Sequence, residues 1–425
     1  MTADHTTAGS TTADPTTAGS TTADPTTTLP IVRSCPYAPP EEHLRLRKDA
    51  PISRVTLPSG MNAWAITRYE DVRTMLTDPR FSSNRLAPGF PWLVERAPQG
   101  NHPLRLSLIS MDPPEHGPAR RAVVGEFTIR RLTALRPRIQ QVVDEHIDAM
   151  LAGPRPVDLV KALSLPVPSL VICELLGVPY ADHEFFQALS ARLLNRTATQ
   201  QARLEAVKEL LGYLDQLLRV KEKEPADDLL SRQLAKSNRE DVLGLAFLLL
   251  IAGHETTANM ISLGTMALLE RPDDVRAIIE DPSKTPMAVE ELLRYFTIAE
   301  FATSRAAVAD VELGGVLIRA GEGVVTLTNT ANRDPDVFDR PDELDIERGA
   351  RNHLAFGYGP HQCLGQNLAR MELEIVFNTL FRRIPDLRPA VPLDTLPFKT
   401  DANIYGIHEF PVTWSDRPEG QAVPA

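Results

Sequence analysis

Residues 356–365 read Phe356-Gly357-Tyr358-Gly359-Pro360-His361-Gln362-Cys363-Leu364-Gly365. Glycines at 357, 359 and 365 let the backbone turn tightly and approach a flat object closely. A long helical pattern opens near Gln366, so Cys363 stands just ahead of a helix N-terminus. Backbone amides and the positive end of that helix favour a thiolate there. The thiolate is the metal-binding form of cysteine, and a lone thiolate is an axial ligand of haem iron. The other cysteines, Cys35 and Cys173, are far away in sequence. Three such cysteines make neither a disulfide framework nor a zinc spacing, and they point to a reducing compartment.

The chain around this motif has the composition of a large globular enzyme. It has 425 residues, of which 43% are hydrophobic and 24% charged, enough to bury a sizeable core. Length alone predicts two or three domains. The net charge of −11 argues against nucleic-acid binding, whose footprint is basic. No run of about 18 consecutive apolar residues predicts a membrane span, and the first thirty residues lack the basic and apolar regions of a signal peptide. The expectation is a cytoplasmic protein without membrane attachment.

The N-terminal residues 1–30 repeat a ten-residue Thr/Ala/Asp/Gly/Ser unit with almost no large apolar side chains. Such a segment cannot bury a core and is expected to be disordered, as is the polar tail 415–425. Between them, residues 31–414 read as mostly helical. Strand-like runs occur at 52–55, 63–66, 311–318 and 324–328, with a hairpin at Gly314-Gly315. The longest helix is expected to start at Ser237, where Ser237 and Glu240 have capping-box spacing, and to run to about Arg271. Its apolar faces from 242 to 251 place it in the middle of the molecule.

That helix carries Ala252-Gly253-His254-Glu255-Thr256-Thr257. A polar cluster inside a buried helix is costly, which marks it as functional. Gly253 permits close approach by something flat. Thr256 can bond back to the Ala252 carbonyl and loosen the helix. The acid Glu255 beside the alcohol can relay protons. The zinc-protease pattern His-Glu-x-x-His fails, because residue 258 is Ala.

Residues 356–365 match the haem-binding signature of the cytochrome P450 family at its fixed positions Phe356, Gly357, Gly359, His361, Cys363 and Gly365. Residues 252–256 match the family's oxygen-activation motif. The chain from 31 to 414 therefore resembles that family. Residues 171–179 and Tyr69-Glu70-Asp71-Val72 look like its soluble actinobacterial branch. The resemblance implies one haem domain, mainly α, a helix-rich triangular prism with small β-sheets, in place of two or three domains. Cys363 would ligate the iron of haem b (iron protoporphyrin IX). His116, Arg120, Arg305 and His361 would hold its propionates, and Gly253, Phe356, Gly357 and Gly365 would line it. Glu291 and Arg294, at i,i+3 on a helix capped by Thr285-Pro286, would be the buried pair that pins residues 332–348 beneath the haem.

The activity implied is monooxygenation with dioxygen, Glu255 and Thr256 relaying protons. The remaining residues hold no flavin or iron–sulfur domain, so a ferredoxin and its NAD(P)H-dependent reductase are the implied partners of an expected monomer. Arg121, Arg130, Arg131 and Arg370 flank the thiolate side by resemblance and would receive an acidic ferredoxin. Segments 82–108, 193–201, 248–256, 298–301 and 404–405 would line the substrate site, with Leu248, Ala252, Ile298, Ala299, Ile404 and Tyr405 as its walls. They are mostly apolar, so the ligand is expected to be apolar and sizeable. Glu300 is the exception among them: it either faces the pocket, where it would meet a hydroxyl or amine, or points to solvent, the second reading being slightly favoured. Two other classes are a family member with another oxidative outcome (coupling, C–C cleavage, peroxide-driven oxidation) and a haem sensor. The Glu255-Thr256 pair favours oxygen activation, and neither tail is long enough for a signalling domain.

Overall fold

A computed structural model describes residues 27–94 and 108–415. Most of the repeat tail, residues 95–107 of the expected substrate wall and the last ten residues lie outside the described residues. The description begins shortly ahead of Ile31: Thr27–Thr28 forms a short strand on Ile52–Thr56, and Leu29 is buried.

The central helix is Arg239–Leu269. Its 31 residues span about 46 Å at 1.5 Å each. It is packed by the helices Pro166–Leu176, Gln200–Lys223 and Gln366–Arg383. By length and composition it could cross a bilayer, although its apolar residues never run unbroken for about 18 positions. In this fold it is a core helix, enclosed by other helices. Its cap is Asn238, whose side chain accepts from the Asp241 amide at 2.9 Å. Ser237 does not cap it, because the Ser237 amide still closes the preceding helical turn on the Gln233 carbonyl.

The helix Gln366–Arg383 behind Cys363 packs on Ile129–Ala152, on Thr285–Phe296 and on the central helix. Thr285 is the first residue of its helix rather than the cap, and its hydroxyl donates to Asn378 of the cysteine helix at 2.5 Å. Arg294 forks onto both carboxylate oxygens of Glu291 at 2.7 and 2.8 Å, with both side chains at 0% exposure. Its remaining N–H groups donate to the carbonyls of Asn332, Pro341 and Glu343. Arg348 and the Asp345 amide also donate to Glu291. A buried ion pair is tolerable only with such complete satisfaction. Here it ties the irregular segment ahead of the cysteine loop to a rigid helix.

Six short strands form the largest sheet, in the order Thr27–Thr28, Ile52–Thr56, Asn62–Ile66, Gly323–Thr326, Arg305–Ala307, Phe81–Ser82. Arg305 thereby enters the interior on a strand paired with Gly323–Thr326. The strand expected to reach Thr328 ends at Thr326. The Thr328 hydroxyl donates to the Glu300 carbonyl, and Thr328–Ala331 turns into a short helix. Val311–Leu313 and Val316–Ile318 make the hairpin, with positive φ at both Gly314 and Gly315 as a two-residue turn demands. Three more short strands, in the order Arg388–Pro389, Pro411–Thr413, Val157–Asp158, form a separate antiparallel sheet.

Candidate active site

The cysteine loop is built on two left-handed glycines. Gly357 and Gly359 have φ of 69° and 71°, which a side chain rarely adopts. The Cys363 amide donates to the Phe356 carbonyl at 2.8 Å, closing the loop. The Gly365 and Gln366 amides donate to the sulfur. Burial pushes the Cys363 thiol pKa up, while those amides and the Arg120 and Arg370 guanidiniums pull it down. The residue keeps accessible surface inside this enclosure. A Cβ at Gly365 would meet nothing within 4 Å among the described residues.

Bases crowd beside the loop. His116 and Arg120 lie one turn apart on the helix His116–Val124. The His116 ring stacks on His361, centroids 3.9 Å apart. Arg120 donates to the Gln362 carbonyl at 2.5 Å. Arg305 donates to the Ser304 carbonyl and acts electrostatically on both His116 and His361. Burial, then Arg305, His116 and Arg120, push the His361 pKa down to about 3. Burial and the Arg85 guanidinium bring Arg305 down to about 10. His116 is lowered by burial and by Arg120, and its Nε2 finds no hydrogen-bond partner among the described residues.

A nest of four bases that repel one another, two buried and two half-buried, with one orphaned ring nitrogen, fits a ligand carrying carboxylates. A single thiolate beside it fits a metal that arrives already held by a macrocycle. Haem has both properties, so the residues present fit it. Arg85 belongs to this electrostatic group and was not singled out from sequence, because one Arg in a Ser/Asn/Pro-rich stretch carries no local signal.

On the central helix, Leu248, Ala252 and Thr256 recur every fourth residue and so share one face. Ala252 is exposed and the other two are half-buried, while Leu249, Leu250, His254, Glu255 and Thr257 around them are buried. The Thr256 hydroxyl donates to the Ala252 carbonyl at 2.8 Å. Gly253 faces elsewhere: a Cβ there would stand 2.7 Å from the Ile172 side chain. The close approach that Gly253 permits is therefore to the helix Pro166–Leu176, not to a flat ligand.

Glu255 is buried and accepts from Lys399, with the Asn259 amide farther off at 3.5 Å. Burial alone would raise its pKa, but Lys399 holds it below the usual carboxylate range. Lys399 lies 144 residues away and belongs to no motif, so sequence reading missed it.

Glu300 does not point to solvent. It is buried, and the Arg33 guanidinium forks onto it, with the Nε contact at 2.7 Å. Arg33 also donates to the Phe296 carbonyl and lies 4.1 Å above the Tyr405 ring. Tyr405 is stacked on Phe398 and its hydroxyl donates to the Pro36 carbonyl. Ile298, Glu300, Lys399 and Tyr405 line one small cavity. Ile298 is buried, and Ala299 and Ile404 are half-buried. Arg370 is not a free surface cation. It is held on Glu290 at 2.6 Å and lies 4.6 Å over the Phe356 ring, while His353 donates to the same carboxylate at 2.9 Å.

Comparison with known proteins agrees with this architecture. The family model "Cytochrome P450" matches residues 51–384. A vitamin D3 dihydroxylase of Streptomyces griseolus is 49% identical over 398 residues, covering 91% of this chain and 96% of the relative. The crystal structure of cytochrome P450 MoxA from Nonomuraea recticatena superimposes with a TM-score of 0.84 at 56% identity, covering 92% of this chain and 99% of that one. The mycinamicin VIII C21 methyl hydroxylase MycCI of Micromonospora griseorubida, solved bound to mycinamicin VIII, gives a TM-score of 0.86 at 41% identity, covering 91% and 100%. With the thiolate loop, the nest of bases and the acid–alcohol pair all in place, the chain belongs to the cytochrome P450 family.

Proposed function

We propose that this monooxygenase hydroxylates a C–H bond of a sizeable, mostly apolar small molecule of polyketide, macrolide, steroid-like or drug-like character. The enzyme class and its cofactor, haem b, follow from the family. The bound haem supplies dioxygen activation and oxygen transfer. The protein's own residues supply position and protons.

Cys363 would hold the iron, its thiolate form favoured by two amides and two guanidiniums against the cost of burial. His116, Arg120, Arg305 and His361 would take the carboxylates and lose their mutual repulsion. Thr256, its proton donated to the Ala252 carbonyl, presents oxygen lone pairs that can hold a water at the accessible helix face. Glu255, ionised beside Lys399, can take a proton from water and return it to that face. Leu248, Ala252, Ile298, Ala299 and Ile404 would give the substrate an apolar wall. The activities printed in the names of the vitamin D3 dihydroxylase and the mycinamicin VIII hydroxylase are of this kind.

Electrons would come from a ferredoxin and its NAD(P)H-dependent reductase in the cytoplasm, to a monomeric enzyme. The proposed docking face is the exposed Arg121, Arg130 and Arg131, around the exposed apolar Val124 and Ile129. Arg370 is withdrawn from that face by Glu290.

The observation that carries the reading is Cys363 itself, a single accessible sulfur with amide donors beside a nest of bases. The reduced protein with carbon monoxide is expected to show the red-shifted Soret band of thiolate ligation. Cys363→Ser is expected to lose it. A thiolate spectrum that survives in the variant would overturn the assignment.

A further inference from the structure

The proton relay has a member that none of the family motifs contains. We propose that Lys399, carried by the C-terminal loop, is a positioning residue that keeps Glu255 ionised and aimed. This rests on the relay role proposed for Glu255 and deepens it.

The loop holding Lys399 is closed on itself. Phe398 bridges Ile407, the Lys399 amide donates to the Gly406 carbonyl at 2.8 Å, and the His408 amide donates to the Pro397 carbonyl at 2.8 Å. Its tip is tied to the rest of the wall. The Tyr405 amide donates to the Ile298 carbonyl at 3.0 Å, the Asn403 amide to Leu194 at 2.9 Å, and the Arg196 side chain to Ala402 at 2.5 Å. Its base lies flat on the central helix, since a Cβ at Gly406 would fall 2.1 Å from the Asn259 amide oxygen. Asn259 is one turn beyond Glu255. The ammonium is thus delivered to Glu255 from a braced backbone. The Lys399 and Glu255 side chains are only 12% and 11% exposed, so the pair meets little solvent screening.

The titratable groups acting on Glu255 are Lys399 from the loop and His254 from its own helix. Arg33, Arg196 and Glu300 line one cavity with Lys399; Arg33 pairs with Glu300, and Arg196 donates to the Thr400 and Ala402 carbonyls. Asn259 is neutral and at 3.5 Å gives little. Removal of the ammonium leaves a buried carboxylate with no strong partner, and such a group takes up a proton.

The sign follows. With Lys399 present, the folded pKa of Glu255 lies below its unfolded value. The pair then stabilises the protein above the unfolded pKa, and that stability is lost as pH falls through the folded one. Without Lys399 the folded pKa rises above the unfolded value. Stability is then lost as pH rises through it.

The test uses the haem-loaded enzyme as wild type, Lys399→Met, Lys399→Arg and Glu255→Gln/Lys399→Met. Each is first checked for the thiolate carbon monoxide band. Absence of the band in the wild type would overturn the Cys363 assignment, not this proposal. Thermal midpoints are then read by far-ultraviolet circular dichroism from pH 5 to pH 9. The deficit of Lys399→Met against wild type is expected to widen by several degrees as pH rises. Lys399→Arg is expected to restore the wild-type profile, and the double variant to lose the pH-dependent part. A deficit independent of pH, or one that persists in the double variant, would overturn the proposal. In parallel, NADPH consumption through a plant-type ferredoxin and its reductase is expected to shift its pH profile to higher pH in Lys399→Met alone. Shifted melts with an unshifted profile would make Lys399 a structural partner only, and would overturn the positioning role.

Discussion

The Thr256 hydroxyl has one proton, and the Ala252 carbonyl holds it at 2.8 Å. Toward the accessible face of the central helix the side chain therefore acts as an acceptor, a site that keeps a proton-bearing partner in place. Thr256→Ala is expected to keep haem and the carbon monoxide band, because neither depends on that oxygen. More of the NADPH consumed should end as hydrogen peroxide, several-fold more than in wild type, and less as product. The product-to-NADPH ratio with peroxide assayed in parallel is the check, and an unchanged ratio would speak against the proposed relay. Glu255→Gln should slow turnover by roughly 10²-fold, the lower end for a positioned proton-transfer group. At this scale the site was legible wherever its chemistry is local in sequence. Cys363, His361 and Thr256 announce themselves through neighbours within ten residues. Lys399 and the Arg33–Glu300 pair do not, since their partners lie 144 and 267 residues away. No periodicity foretells that a lone lysine meets a particular acid, or that Glu300 turns inward.

Helix termini show the same boundary between what is local and what is not. Asn238 has extended backbone angles, φ −69° and ψ 158°, and its side chain takes the Asp241 amide. Ser237 offers the same chemistry one residue earlier but is still engaged by the turn before it. Asn238→Ala should therefore cost about 1 kcal/mol of stability, and Ser237→Ala well under about 0.5 kcal/mol, as expected of a substitution away from a cap. Denaturant midpoints of the two variants, with unchanged slopes, would separate them. Equal losses would contradict the cap assignment. The central helix itself was plain from its apolar run, and the Gly314-Gly315 hairpin from its turn residues. Gly253 was misread for a physical reason. The sequence shows that something must come close, and only packing shows that it is Ile172.

For the molecule as a whole, charge distribution matters more than charge total. A net charge of −11 repels an acidic protein at long range, yet Arg121, Arg130 and Arg131 give one exposed face a local positive field. Arg131 is partly compensated by Glu126 at 3.1 Å. If a ferredoxin docks there, its electron transfer should slow by about tenfold or more between 50 mM and 500 mM salt, as screening shortens from beyond ~10 Å toward a few Å. Arg130→Glu should slow it further at low salt. Stopped-flow reduction rates are the measurement, and rates indifferent to salt would count against this face. The largest sheet carries a different consequence. Asn62–Ile66 lies beside Gly323–Thr326, in a register that sets Ala63 against Gly323. On the ribosome the antiparallel pair Ile52–Thr56 and Asn62–Ile66 must therefore wait for about 260 further residues, on the order of 10 to 50 s at ~5–20 residues per second. Throughout that interval the strand shows an open edge to the cell, and Cys363 has not yet been made. A haem held by Cys363 thus cannot be captured before residue 363 has emerged, and a chain that stalls ahead of it exposes a template for aggregation rather than a partial enzyme.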